Sequence, residues 1–172
     1  LYNYIQHYHL EFTILLGHSM GGKVAMQFAV NYPELVDKLI VADISPRFYK
    51  PHHEDILAAL DTVNFSLQNT RKKVEDVLRI YIKEEGTLQF LLKNVYWKLK
   101  SELAFRFNLQ SLIAHNSEVG EALPSLTSFE GAALFLKGEN SNYISEKDKQ
   151  LIEAHFPNSK MVVIKNAGHW LH

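Results

Sequence analysis

The residue pattern predicts an α/β architecture: a parallel sheet covered by helices and interrupted by one helical insertion. Three observations carry this. Short aliphatic runs recur at residues 12–16, 39–42, 132–136 and 161–164. Helical spacing links the first two runs, and again the last two. No strand pattern falls between residues 47 and 130. The expected organisation is a sheet core over 1–46, an insertion over 47–130, and the rest of the core over 131–172.

Phe12, Ile14, Leu15 and Leu16 form a β-branched and aliphatic run stopped by Gly17, the pattern of a buried parallel strand. Residues 20–32 read as a helix, with Val24 and Phe28 at helical spacing and Pro33 beyond the end. Residues 39–42 form a second buried strand, closed by Asp43-Ile44-Ser45-Pro46. Strand, helix and strand with short connections make a βαβ unit, hence parallel pairing. Only helical stretches are predicted in the insertion, at 53–63, 71–83, 88–92, 98–107 and 110–114. Phe65, Phe90, Trp97, Phe105 and Phe107 make it rich in aromatics. Such an insert is expected as a lid over the carboxyl ends of the strands, where these sheets bind ligands. The sheet pattern then resumes with a strand ended by Gly138, a helix over 145–155, and a last strand before Asn166-Ala167-Gly168-His169.

Composition narrows the function. Lys and Arg number 18 against 19 Asp and Glu, a formal net charge of −1, which leaves no electrostatic footprint for nucleic acid or an anionic membrane. Arg71-Lys72-Lys73 reads as a solvated helix face. The absence of cysteine rules out disulfides, thiolate metal sites and a cysteine nucleophile, and fits a reducing, cytoplasmic setting. No apolar run approaches the roughly 18 residues of a membrane span. The chain starts at Leu1 and stops just after Gly168-His169-Trp170, so both ends are expected to be truncated, with any targeting segment upstream.

Gly17-His18-Ser19-Met20-Gly21 has the form G-x-S-x-G, following a strand and opening a helix. A nucleophile on so tight a turn is strained, and neighbours bearing a Cβ are expected to clash. The turn also aims the Met20 N–H at a developing oxyanion. Gly22 lets the helix approach the sheet. The competing reading makes Ser19 a plain N-cap, which the strand–turn–helix setting disfavours.

Nine histidines could supply the base. His7 and His9 sit in a polar segment; His18, beside the serine, is expected to point away along the turn and pack. His52-His53-Glu54-Asp55 lie consecutively at a helix start, where neighbours do not face one another, so no metal site is predicted. His115 and His155 have nothing to single them out. His169 follows the last strand in a glycine-bearing loop, comes last in the order serine, acid, histidine, and is the expected base. For the acid, Asp43 and Glu139 both follow core strands. Asp43 is favoured because Glu139 abuts its strand end; an Asx turn capping Ile44-Ser45-Pro46 is the competing role.

With Gly17-His18-Ser19-Met20-Gly21-Gly22-Lys23, Asp43-Ile44-Ser45-Pro46 and Asn166-Ala167-Gly168-His169-Trp170 in view, the sequence resembles the α/β-hydrolases. More narrowly, it is similar to the YbfF-type acyl esterases and their mitochondrial relatives; Arg106-Phe107-Asn108-Leu109 and Gly138-Glu139-Asn140-Ser141 also fit that group. The resemblance implies hydrolysis of small-molecule esters or thioesters of short to medium acyl chains, without a cofactor or metal, beneath a helical lid. It also implies that the first strands and a His-Gly loop, source of a second oxyanion N–H, precede Leu1. The aspartate matching Asp43 serves as acid in some relatives. Others are credited with an acid in the lid, where this chain has Gln110. Trp97, Arg106, Asn108, Tyr143 and Trp170 are the expected substrate-binding residues. A C–C bond hydrolase or lyase using the same triad, and a non-catalytic binding module, are the alternatives. A dehalogenase or epoxide hydrolase would need aspartate at position 19.

Overall fold

A computed structural model describes residues 1–51 and 53–171. In chain order the elements are α1 (Tyr2–His7), β1 (Thr13–His18), α2 (Met20–Asn31), β2 (Val36–Ala42), α3 (Glu54–Asp61), α4 (Arg71–Tyr81) and α5 (Glu85–Leu92). They continue with β3 (Val95–Leu99), β4 (Glu102–Phe105), α6 (Leu109–Ala114), β5 (Ala132–Gly138), α7 (Lys149–His155) and β6 (Ser159–Ile164). They fall into two units: Leu1–Tyr49 with Val119–His172, and Lys50–Glu118.

The first unit is a four-stranded parallel sheet in the order β1-β2-β5-β6. Gly22, Ala25, Met26 and Ala29 recur at helical spacing along α2 and are buried. Leu39 and Val41 of β2 and Phe135 of β5 complete this core with Phe129 and Phe156. Each such large apolar side chain contributes about 1.5–3 kcal/mol on burial. β1 was expected to be buried on both faces. In the described residues its side chains alternate, with Leu15 buried while Ile14 and Leu16 are 55% and 67% exposed. β6 likewise leaves Met161, Val162 and Val163 exposed. Residues 119–130 belong with the sheet rather than with the insertion. Leu123 donates its N–H to Pro46 O at 2.9 Å and Phe129 to His155 O at 2.8 Å, and both side chains are buried in the sheet unit's core.

The second unit has its own core, centred on Val74, Leu78, Leu88 and Leu103. Thr70 caps α4 by accepting the Lys73 N–H. The helix expected over 98–107 is a β-hairpin. β3 and β4 pair antiparallel, with Val95 opposite Phe105 and Trp97 opposite Leu103. Cross-strand pairing of branched and aromatic side chains, with Val95 and Leu103 both buried, outweighs the helical spacing of the intervening charges. Arg71 fixes the hairpin's start, donating to Leu92 O at 2.8 Å and Val95 O at 2.7 Å.

Candidate active site

Parallel pairing puts the carboxyl ends of all four strands at one edge of the sheet. His18 is level with Ala42, Ala42 with Leu136, and Gly138 with Ile164. The residues just beyond those positions are Ser19, Asp43, Glu139 and the loop to His169. They therefore share the edge where open α/β sheets bind ligands.

Ser19 joins β1 to α2 with φ 54°. A residue with a Cβ is strained there, at a typical cost of about 1–3 kcal/mol. Backbone bonds on both sides hold it: Ser19 N–H donates to Ala42 O at 3.0 Å, and Lys23 N–H donates to Ser19 O at 3.1 Å. A Cβ on Gly17 would overlap the Gly21 carbonyl, and one on Gly22 would lie 2.5 Å from Ile44 Cγ2. The clash expected around the serine is thus found at Gly17 and Gly22. It is not found at Gly21, whose Cβ would meet open space among the described residues. Met20 opens α2, so its N–H belongs to the first turn, where amides have no intrahelical acceptor.

Asp43, the residue after β2, is fully buried, with φ 50°. Its Oδ1 accepts the Gly138 N–H at 3.0 Å. Oδ2 accepts the Ser141 hydroxyl and, at 2.8 Å, the Nδ1–H of His169. Both carboxylate oxygens are engaged across the sheet, which leaves the Asx-turn role without support. Glu139 does something else: its Oε2 accepts the Asn166 N–H at 2.7 Å and so ties down the histidine loop. Because a carboxylate oxygen only accepts, Nδ1 carries the proton and the neutral ring presents Nε2 as a base.

His18 does not point away along the turn, as the sequence suggested. Its ring lies 4.7 Å from that of His169, and its Nε2 donates to the His169 carbonyl at 2.8 Å. The serine's neighbour therefore binds the histidine loop directly. Tyr143 stacks on the His169 ring with centroids 3.9 Å apart and planes 19° apart; Trp170 meets it edge-on at 5.9 Å. Trp97, Arg106 and Asn108 belong to the second unit. Trp97 is half exposed on β3, the Arg106 guanidinium lies 4.9 Å from the Tyr96 ring centroid, and Asn108 caps α6 by accepting the Ser111 N–H at 3.1 Å.

Sequence reasoning missed Lys23. Its ammonium is buried beneath Pro46, Arg47 and Glu121, donating to their carbonyls at 3.3, 2.5 and 2.6 Å. Burial, then the Arg47 charge, with Glu121 opposing, brings it down to about 8. Its only sequence signal was its place one residue after the glycine pair. Among the described residues no three His, Asp or Glu are grouped as for a metal. His53, Glu54 and Asp55 lie at the start of α3, while His52 falls outside the described residues. No described helix is long and apolar enough to cross a membrane.

Parallel strands that deliver a strained serine and an aspartate-bound histidine to one edge are the hallmark of the α/β-hydrolases. The chain belongs to that family, residues 2–172 matching its model for the alpha/beta hydrolase fold. It is similar to the esterase YbfF of Escherichia coli, 34% identical over 95% of the chain and 62% of the relative. It is also similar to an sn-1-specific diacylglycerol lipase of Danio rerio, 37% identical over 95% of the chain and 53% of the relative. The chain thus spans little more than half the length of these relatives. A solved marine microorganism esterase superposes with a TM-score of 0.91 at 39% identity, covering 99% of the chain and 68% of that structure.

Proposed function

We propose that the protein is a serine hydrolase that cleaves carboxylic esters or thioesters of short to medium acyl chains, with Ser19 as nucleophile, His169 as base and Asp43 as acid. The observation that carries this is the 2.8 Å bond from His169 Nδ1 to buried Asp43, which leaves Nε2 to act on the serine at the neighbouring strand end. The likeness to proteins named as esterases supports the ester class. His169 takes the Ser19 proton as Oγ attacks the acyl carbon, and the Met20 N–H helps to hold the oxyanion. The protonated ring then gives its proton to the leaving alcohol or thiol. Water next attacks the acyl-enzyme with His169 again as base, releasing the acid and restoring Ser19.

Trp97 and Phe90 carry large rings about half exposed, and they, with Arg106, are the side chains this reading assigns to the acyl group. Asn108 is already engaged in capping α6. Trp170, half exposed beside His169, is the side chain this reading assigns to the ester itself. The test is labelling of the intact protein by a fluorophosphonate probe, with turnover of p-nitrophenyl esters and acyl thioesters of graded length. Ser19→Ala should abolish both. Labelling that survives this substitution overturns the reading.

A further inference from the structure

The His169 ring is attached through Cγ and hydrogen-bonded to Asp43 through Nδ1, so any side-chain rotation that carries Nε2 away from Ser19 must break that bond. A ring packed flat on the imidazole opposes the same rotation. Among the described rings, Tyr143 lies closest to parallel with His169, its centroid 3.9 Å away and its plane tilted by 19°. Tyr143 is itself well anchored. Its carbonyl accepts the Tyr49 hydroxyl at 2.5 Å and an Arg47 N–H at 3.4 Å, and its N–H donates to Ser141 Oγ at 3.3 Å. The Tyr49 ring stacks on that of Tyr143 at 5.8 Å and 29°; the Arg47 guanidinium sits 3.8 Å from the Tyr49 ring centroid and is paired through Nε to buried Asp148 at 3.1 Å. Successive contacts thus link Arg47 to Tyr49, Tyr49 to Tyr143 and Tyr143 to the imidazole. The same short loop supplies Ser141, whose hydroxyl donates to Asp43.

We infer that Tyr143 is a positioning residue rather than a substrate contact: its ring holds the His169 imidazole in the plane that joins Asp43 to Ser19. The inference rests on the proposed roles of Ser19 and His169. The aromatic face should also favour the cationic ring formed when His169 takes the serine proton. Loss of the ring should therefore be felt in kcat. Misplacing a reacting group by about 1 Å can cost on the order of 10²-fold.

In the intact protein, Tyr143→Leu should lower kcat by roughly 10- to 100-fold with KM little changed. Tyr143→Phe, which keeps the ring, should restore most of the rate. A readout independent of turnover comes from NMR in the Ser19→Ala background. The His169 ring protons should lose the Tyr143 share of their ring-current shift in Tyr143→Leu and keep it in Tyr143→Phe. If the leucine variant does not fold, Tyr143→Met takes its place in both measurements. Wild-type kcat without the ring overturns the inference, as does a loss confined to KM, an equal loss in Tyr143→Phe, or unmoved His169 resonances. Activity surviving in Ser19→Ala alone would instead defeat the proposed function, so the two failures are distinct.

Discussion

Asp43 and His169, 126 residues apart in sequence, are joined by a hydrogen bond of 2.8 Å between Oδ2 and Nδ1, the carboxylate lying wholly out of solvent. That bond sets the tautomer of the imidazole, the proposed base. Removing such an acid typically lowers kcat by about 10⁴. Asp43→Asn should show a loss of that order, because an amide oriented to keep Gly138 satisfied offers His169 a donor. Glu139→Gln retains an oxygen for the Asn166 N–H and should stay within a few-fold of wild type. Steady-state kinetics on one short acyl ester decide it; the reverse ranking would move the acid to Glu139.

Gly17 shows how little room the serine turn has. An added methyl would strike the Gly21 carbonyl, which is backbone and can yield only if the turn moves. Gly17→Ala should destabilise the protein by about 1–3 kcal/mol, the usual range for overpacking. Fluorophosphonate labelling of Ser19 should slow with it. Gly86→Ala is the control, since its methyl would meet only the movable end of Glu84, at 2.8 Å. Denaturant melts of both variants test this, and equal stability would show that the turn accommodates a side chain.

Legibility followed the range of the interactions. β1, β2, β5 and β6 could be read because each is a local aliphatic run, and the parallel arrangement followed from the helices between them. The β3–β4 hairpin could not. Lys98-Leu99-Lys100-Ser101-Glu102-Leu103 mixes charge and apolar residues as an amphipathic helix does, and only the pairing of Trp97 with Leu103 decides the outcome. Asp43 is favoured over Glu139 because Glu139 abuts its strand end, a local property. The contacts of His18 and Tyr143 with His169 join loops that follow different strands, and no spacing in the sequence encodes them. Lys23 was illegible for a related reason: its partners are backbone carbonyls, which every residue possesses.

Lys23 should give the stability an alkaline signature. Its folded value of about 8 lies below the ordinary 10.5, so between those limits the unfolded chain binds more protons than the folded one. The sign then follows: the penalty on the buried charge is fully present below about pH 8 and is relieved as pH rises towards 10.5. Wild type should therefore gain stability relative to Lys23→Met on going from pH 7.5 to about 9.5, as read from urea midpoints. Parallel profiles for the two proteins would mean that Lys23 titrates normally.

The aromatic residues of the second unit divide into two groups that mutation should separate. The Phe105 ring meets those of Phe65 and Phe107 at 5.0 and 5.1 Å, and all three pack against the core containing Leu103, which is 1% exposed. Leu103→Ala should cost about 2–5 kcal/mol, the range for a leucine removed from a packed site. It should do so without a selective change among substrates. Trp97 and Phe90 are 51% and 45% exposed, so shortening either should leave the melting temperature nearly unchanged. If they meet the acyl group as proposed, Trp97→Ala or Phe90→Ala should shift the preferred chain length. Each methylene no longer buried is worth about 0.8 kcal/mol, roughly fourfold in relative kcat/KM. A series of p-nitrophenyl esters from acetate to decanoate, run beside thermal melts, separates the groups. An unaltered chain-length profile in both exposed-ring variants would remove this unit's aromatic rings from substrate selection.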